Sequence, residues 1–221
     1  VLYGQRESFD PLAARSTELL SAEVGRFEEL LTDLLEISRF DAGAAELSLE
    51  EVDLVQIAAE ELTAQNRFAQ QYGITLELDA PAPCLAEMDP RRIRRILRNL
   101  ITNAIEHGDG HDITVHVRAD ESAVAVAVRD HGVGFSAAQA HLVFNRFWRA
   151  DPARARTSGG TGLGLHIAHN IAANVLGGRI SATSSEGQGT TFEIEIPLLA
   201  PQPQSAESGR DSSAAGVHRV P

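Results

Sequence analysis

Two glycine-rich turns carry the residues of this chain that are best suited to hold a phosphate chain. The first, D-H-G-V-G at 130–134, ends an apolar run with a carboxylate, and the second, G-T-G-L-G-L at 160–165, opens an amphipathic segment. Backbone with few β-carbons can close on phosphates and direct N–H groups at them, and a helix start favours anions. The sequence therefore predicts a nucleotide site, with candidate ligands Asp130, Gly132, Gly134, Gly160, Thr161, Gly162, Leu163, Gly164 and Leu165.

A polar face on a predicted helix supplies further candidates. Residues spaced four apart lie on one face of a helix, and Asp89-Pro90 starts a pattern in which that face holds Arg95, Asn99, Asn103 and His107. Two amide oxygens one turn apart suit Mg²⁺, which fills its remaining positions with water and phosphate oxygens. An ordinary polar helix face, opposite the apolar stripe of the same helix, is the alternative.

The carboxylate of Asp130 also has two interpretations. At the end of a strand it can accept a hydrogen bond from an adenine amino group. It can equally cap the glycine turn that follows it. The sequence leaves both open.

Composition excludes several classes of protein. There is no lysine among the 19 basic residues, so the lysine-dependent P-loop is excluded, and the G-x-G-x-G spacing at 160–164 does not match the Rossmann fingerprint. The net charge is −12, of which residues 1–66 hold −11 (15 acidic residues against 4 arginines), and this argues against nucleic acid as a partner. The single cysteine, Cys84, excludes an intramolecular disulfide.

Periodicity predicts an α/β domain after a helical segment. A long helix follows Asp10-Pro11 and carries a heptad seam, Gly43 is its expected stop, and Asp53 is expected to cap a helix to about Phe68. Strands are predicted at 74–78, 113–117, 124–128, 179–184 and 190–196, and helices at 89–107, 136–148 and 163–176. We predict three regions: a helical segment at 1–46, an α/β domain with a mixed sheet at 47–199, and a disordered tail at 200–221. The seam consists of Leu20, Val24, Phe27, Leu31, Leu34 and Ser38.

Taken in order, the motifs resemble the ATP-binding domain of two-component sensor histidine kinases. They are the asparagine box at 98–104, D-x-G-x-G at 130–134, a phenylalanine box at 144–149 and G-G-T-G-L-G-L at 159–165. The resemblance covers residues 5–198. Segment 34–43 and the phenylalanine box look closest to an actinobacterial subgroup of these kinases.

The resemblance implies a fold, a function and a set of partners. The fold is the two-layer α/β sandwich of the GHKL type, with a helix of a dimerisation hairpin before it. Asp130 would contact adenine with Thr190 nearby, Asn99 and Asn103 would hold Mg²⁺, His107 would lie in the nucleotide site, and Arg149 would begin an ATP lid. The γ-phosphate would pass to a histidine and then to a response-regulator aspartate. The resemblance also implies a homodimer that forms through the helical segment. It further implies that this chain is the cytoplasmic portion of a membrane-anchored kinase.

The chain departs from the family pattern at three places. Arg95 stands where many members have a candidate base, so it either screens phosphate or is a surface arginine, and Glu106 replaces a frequent lysine. None of the eight histidines is followed by an S-H-E-L-R-T-P-like segment. We therefore assign no catalytic residue, and expect a C-terminal portion of a kinase that does not phosphorylate itself, the alternative being a complete degenerate kinase.

Two other functions stay open from the residues. An anti-sigma-type serine kinase uses a similar ATP domain, although the heptad helix argues against it. A non-catalytic, ATP-dependent interaction module would instead use the seam to bind a partner helix, because an unpartnered seam leaves an apolar stripe exposed.

Overall fold

A computed structural model describes residues 11–41, 47–80, 83–120, 122–149 and 161–198. Within them, helices cover one face of a mixed sheet, and a long helix precedes this two-layer unit. This confirms the predicted fold class. The elements are α1 (Pro11–Asp41), β1 (Glu50–Asp53), α2 (Leu54–Gln71), β2 (Leu76–Asp79), β3 (Leu85–Met88), α3 (Pro90–His107), β4 (Ile113–Ala119), β5 (Ala123–Arg129), α4 (Gly164–Asn170), β6 (Arg179–Ser185) and β7 (Gly189–Pro197).

The main sheet has five strands in the order β2-β4-β5-β7-β6. β2 pairs with β4 in parallel, and the other three pairings are antiparallel. Alternate side chains of the strands point into the core, where Val126, Phe192 and Ile194 are at most 1% exposed. β1 and β3 form a separate antiparallel pair.

Capping aspartates fix the starts of α2 and α3. Asp53 Oδ1 accepts hydrogen bonds from Val55 N–H and Cys84 N–H, both at 3.0 Å, so this cap also ties α2 to the segment before β3. Asp89 Oδ1 accepts from Arg91 N–H at 3.0 Å, and Pro90 takes the first helical position. The apolar face of α3 packs on the sheet, which leaves its polar face directed at the site.

The sequence predictions for α1, α2, α3 and the strands β4 to β7 are confirmed to within a few residues. The strand predicted at 74–78 begins two residues later and ends one residue later, as β2. The strands β1 and β3 were not predicted, because their sequences E-E-V-D and L-A-E-M lack the regular alternation of apolar and polar residues that indicates a strand. Gly43 and the predicted tail lie outside the described residues.

The helix predicted at 136–148 is wrong. Only a 3₁₀ turn, Ala137–Gln139, forms there, followed by turns. Phe147 has a φ of 60°, which no right-handed helix admits. The helix predicted at 163–176 exists as α4, but its second half, Ile171–Val175, widens into a π-helical turn.

The last turns of α1 dock on the domain, whereas its seam faces away. Ile37 is 3% exposed and belongs to the core of the domain. By contrast, the apolar seam positions from Leu20 to Leu34 are 39–66% exposed. No helix in the described part of the chain is long and apolar enough to span a membrane.

Candidate nucleotide-binding site

Asp130 lies at the end of β5 and is 2% exposed. Its Oδ1 accepts hydrogen bonds from Gly132 N–H at 2.9 Å and from Thr190 N–H at 3.1 Å. Burial raises the pKa of this carboxyl above its ordinary value, although the two backbone donors act in the opposite direction. Within the described residues Oδ2 accepts no hydrogen bond. The turn-capping interpretation therefore holds for one oxygen, and the other is available to a ligand.

The glycines of the first turn serve close packing. A β-carbon at Gly132 would overlap the His107 carbonyl at the end of α3, and one at Gly134 would overlap the Ser185 carbonyl. Gly134 also has a φ of 61°, which favours glycine. The turn is thus pressed between α3 and the β6–β7 hairpin, and this contact fixes Asp130 beside the helix that carries the asparagines.

Asn99 faces the start of α4. The Asn99 side chain lies 3.5 Å, measured from Oδ1, from the point where a β-carbon of Gly164 would stand. Its Nδ2 is buried and donates no hydrogen bond within the described residues. A buried amide without a partner is costly, so this atom marks a place where a ligand would complete the structure.

His107 and Arg149 approach each other beyond Asn103. His107 ends α3 with part of its side chain exposed. Desolvation by the surrounding chain lowers the pKa of its imidazole, and the nearby Arg149 guanidinium lowers it further. The imidazole is therefore held neutral, a form in which one ring nitrogen donates a hydrogen bond and the other accepts one. Asn103 lies half-buried between Asn99 and His107 on the same helix face.

The second glycine turn packs against the phenylalanine box. Phe147 N–H donates to the Gly162 carbonyl at 3.0 Å, and Gly162 has a φ of 71°. Thr161 Oγ1 accepts from Leu163 N–H at 3.3 Å, and Leu163 is fully buried. Leu165 is half-buried in the first turn of α4. Gly160 and residues 150–159 lie outside the described residues.

His166 joins the phenylalanine box to α4, a role that the sequence did not indicate. Its Nδ1 donates to the Phe144 carbonyl at 2.9 Å, because a carbonyl can only accept. Its Nε2 then accepts from Arg146 Nε and from Asn170 Nδ2, each at 2.9 Å. One imidazole thus holds the segment that leads to Arg149 against α4.

Arg95 is not a free surface arginine in this structure. It forms ion pairs with Asp33 and Glu36 on α1. No spacing within α3 could have indicated these partners, which lie about 60 residues earlier. The sequence did offer one signal: Ile37 and Phe40 are apolar but lie outside the heptad seam, which indicates a second contact at the end of α1.

The structure therefore brings most of the predicted site residues to one edge, where α3, β5 and the start of α4 meet. No group of three or more histidine, cysteine, aspartate or glutamate side chains suited to a metal occurs in the described residues. Neutral amide oxygens from Asn99 and Asn103 fit a Mg²⁺ ion that takes its other ligands from phosphate and water. A recess of about 70 Å³ beside Arg118 on the outer sheet face is too small for a nucleotide.

Residues 88–200, just over half of the chain, match the family of histidine kinase-, DNA gyrase B- and HSP90-like ATPases. The chain belongs to this family.

Within the family, the chain is similar to sensor histidine kinases of the MtrB type. It is 46% identical to sensor histidine kinase MtrB of Mycolicibacterium paratuberculosis over 98% of this chain and 40% of that protein. MtrB of Mycobacterium tuberculosis H37Rv is 48% identical over 90% of this chain and 35% of its own length. These matches confirm the predicted resemblance to an actinobacterial subgroup.

A solved structure gives the same architecture. Full-length ShkA in complex with AMPPNP superposes with a TM-score of 0.74 at 27% identity, over 86% of this chain and 40% of that one. The chain thus spans less than half the length of these relatives, and what it contains is the region with the ATPase domain.

Proposed function

We propose that this chain binds Mg–ATP and supplies the catalytic part of a sensor histidine kinase, which transfers the γ-phosphate to a histidine. The observation that carries the proposal is the buried Asn99 Nδ2, which has no hydrogen-bond partner among the described residues and whose side chain faces the glycine at the start of α4. That atom needs a ligand, and the adjoining helix start favours an anion. The AMPPNP complex of ShkA supports an adenine nucleotide as that ligand.

Each residue has a role that follows from its place. Asp130 Oδ2 accepts a hydrogen bond from the adenine amino group, because Oδ1 is already engaged by the backbone N–H groups of Gly132 and Thr190. Asn99 and Asn103 hold the magnesium ion, which would neutralise charge on the phosphates. The phosphate chain runs past Gly162 and Gly164, with Arg149 and His107 at its side.

The acceptor histidine and the response regulator are part of the same proposal. No S-H-E-L-R-T-P-like segment occurs in these 221 residues, so the acceptor is proposed to stand on a separate hairpin segment. The exposed seam of α1 supports a homodimer, in which a second copy would cover Leu20, Val24 and Phe27. The kinase is proposed to be membrane-anchored, with this part facing the cytoplasm, where ATP is supplied.

The test combines calorimetry with phosphate transfer. We expect the chain to bind Mg–ATP and to remain unlabelled when incubated alone with γ-labelled ATP. Addition of a hairpin that carries the acceptor histidine should produce acid-labile phosphohistidine on that hairpin. An Asn99→Ala chain, matched by Asn66→Ala at an exposed place on α2, should bind and transfer less.

Other products would contradict the proposal. Acid-stable phosphate on a partner serine would favour the anti-sigma-type kinase. Binding of ATP without transfer to any hairpin, together with nucleotide-dependent capture of a partner helix, would favour the interaction module.

A further inference from the structure

Charged side chains of α3 contact acidic and aromatic side chains at the end of α1. Arg95 donates from its terminal guanidinium nitrogen to Asp33 Oδ1, and its Nε lies 3.3 Å from Glu36 Oε2 in an ion pair. Arg92 donates to Glu36 Oε1 at 3.0 Å. Arg92 also stacks over the Phe40 ring, with its guanidinium carbon 5.2 Å from the ring centre. Two arginines of α3 thus hold two acids of α1.

These ion pairs are partly shielded from water. Asp33 and Glu36 side chains are 11% and 19% exposed, and the Arg95 side chain is 25% exposed. Pairs of this kind are stronger than fully exposed pairs, whose contribution is small. Ile37, between the two acids and Phe40, is buried in the core of the domain. The end of α1 is therefore docked through one apolar anchor and a charged contact beside it.

The docked face of α3 is the face that carries the proposed magnesium ligands. Arg95 precedes Asn99 by four residues, so their side chains are neighbours, about 5–6 Å apart at the β-carbons. A polyphosphate bound at Asn99 and Asn103 would lie within reach of the Arg95 guanidinium. The same phosphates would be repelled by Asp33 and Glu36, which are ion-paired with that guanidinium.

We infer that Arg95 exchanges partners: without nucleotide it holds Asp33 and Glu36 of α1, and with nucleotide bound it turns to the phosphates and releases α1. Docking of α1 and binding of nucleotide then oppose each other. Arg95 is a positioning residue for the proposed reaction, since it acts on where α1 stands. The inference rests on the proposed nucleotide site.

Linkage makes the inference quantitative. If nucleotide weakens the docking of α1 by some factor, loss of docking must strengthen nucleotide binding by the same factor. Removal of the two acids releases α1 and also removes their repulsion of phosphate. Both effects strengthen nucleotide binding. Loss of Arg95 has the opposite effect, because the acids remain while the cation for phosphate disappears.

The experiment compares nucleotide affinity by calorimetry in the unaltered chain and three variants. Asp33→Asn with Glu36→Gln should bind Mg–ATP about fivefold more tightly than the unaltered chain. Arg95→Gln should bind about fivefold more weakly. A control with Glu23→Gln and Glu28→Gln removes two charges from exposed places on α1 and should leave the affinity unchanged. Adenosine without phosphates should bind equally to all four chains.

A second measurement reports docking directly. Spin labels on Ser21→Cys in α1 and Ala64→Cys in α2, both at exposed positions, give the distance between the two helices. The labelled chain also carries Cys84→Ala and is diluted into unlabelled chain. Without nucleotide the distribution should be narrow, and AMPPNP should broaden it. The Asp33→Asn, Glu36→Gln chain should be broad under both conditions.

The outcomes separate the two claims. Absence of Mg–ATP binding in every chain would overturn the proposed function and this inference with it. Mg–ATP binding that is unchanged or weaker in the Asp33→Asn, Glu36→Gln chain would overturn the inference alone. A spin-label distance that does not change when AMPPNP is added would also overturn the inference. Tighter binding by the Asp33→Asn, Glu36→Gln chain together with weaker binding by Arg95→Gln would support the inference, because simple loss of structure would weaken binding in both.

Discussion

Asp130 and Thr190 are joined by two hydrogen bonds where β5 ends and β7 begins. Asp130 N–H donates to the Thr190 carbonyl at 2.9 Å, and Thr190 N–H donates to Asp130 Oδ1 at 3.1 Å. The carboxylate is thereby fixed through one oxygen, while Oδ2 accepts nothing from the described residues. A buried acid held in this one-sided way is suited to an external donor, and an adenine amino group is the donor that the proposed function supplies.

Asp130→Asn should weaken ATP binding by about 10- to 100-fold, the range expected for loss of a hydrogen bond to a charged group. The amide can still accept from Gly132 and Thr190, but an N–H₂ group then faces the adenine amino group. Calorimetric titration with ATP measures the effect. Asp120→Asn, which alters another turn-capping carboxylate on an exposed loop, should bind as the unaltered chain does. Equal affinity in the two variants would remove the adenine role from Asp130.

The same substitution should change how stability depends on pH. Burial raises the pKa of Asp130, so the folded state holds this proton to higher pH than the unfolded state does. That contribution is fully present below the ordinary carboxyl pKa of 3.8 and is lost as pH rises through the folded value. The free energy of unfolding of Asp130→Asn, relative to the unaltered chain, should therefore rise from about pH 4 to pH 7. Urea denaturation across this range tests it, and a flat or falling difference would contradict it.

His107 should act in the opposite direction. Desolvation and Arg149 lower the pKa of its imidazole, so the unfolded state takes up a proton first as pH falls below 6.5. The unaltered chain should lose more stability between about pH 7.5 and pH 5.5 than His107→Gln does. His141→Gln, at an exposed position, should keep the full loss, and His169, whose pKa is also lowered, leaves a residual slope in every chain. Parallel curves for His107→Gln and His141→Gln would show that His107 is not the group responsible.

Arg149→Ala should weaken ATP binding more than Arg154→Ala. Arg149 lies close enough to His107 to lower its pKa, which places its charge at the proposed phosphate end. Arg154 lies outside the described residues and serves as a comparison of equal charge. Titrations at two salt concentrations should show a smaller salt dependence for Arg149→Ala. Equal losses of affinity in the two variants would withdraw the assignment.

Polar substitutions in the seam should reduce self-association without unfolding the domain. Val24→Asn together with Phe27→Gln removes two side chains that are 57% and 61% exposed, so no core contact is lost. Sedimentation should show the unaltered chain as a dimer and this variant shifted towards the monomer. Glu23→Gln with Glu28→Gln is the matched change at exposed polar positions of α1. A variant that sediments as the unaltered chain does would place the dimer contact elsewhere.

The parts of the fold with strong local pattern were predictable from the sequence. α3 combines an aspartate cap, a proline at its first position and a continuous apolar face, and β4 and β5 alternate in the period of a strand. These signals also placed Asn99 and Asp130 on the elements where they are found. Their closeness follows from Gly132, whose missing side chain lets the turn contact the end of α3.

What the sequence did not reveal depends on tertiary contact. The segment at 136–148 has apolar spacing that imitates a helix, but Phe147 takes a left-handed conformation where it bonds to Gly162. The hydrogen bonds of His166 to Phe144 and Arg146 and the ion pairs of Arg95 join residues far apart in the chain. No local propensity encodes such partners. Asp33 and Glu36 can be identified as the partners of Arg95 only from the position of α1 in the folded structure.

Titration of the folded chain with ATP in millimolar Mg²⁺, followed by calorimetry, is the decisive test of the proposed nucleotide site. We expect saturable binding at one site per chain, which Asn99→Ala and Asp130→Asn each weaken while Asn66→Ala does not. Absence of saturable heat up to millimolar ATP, with circular dichroism showing an intact fold, would contradict it.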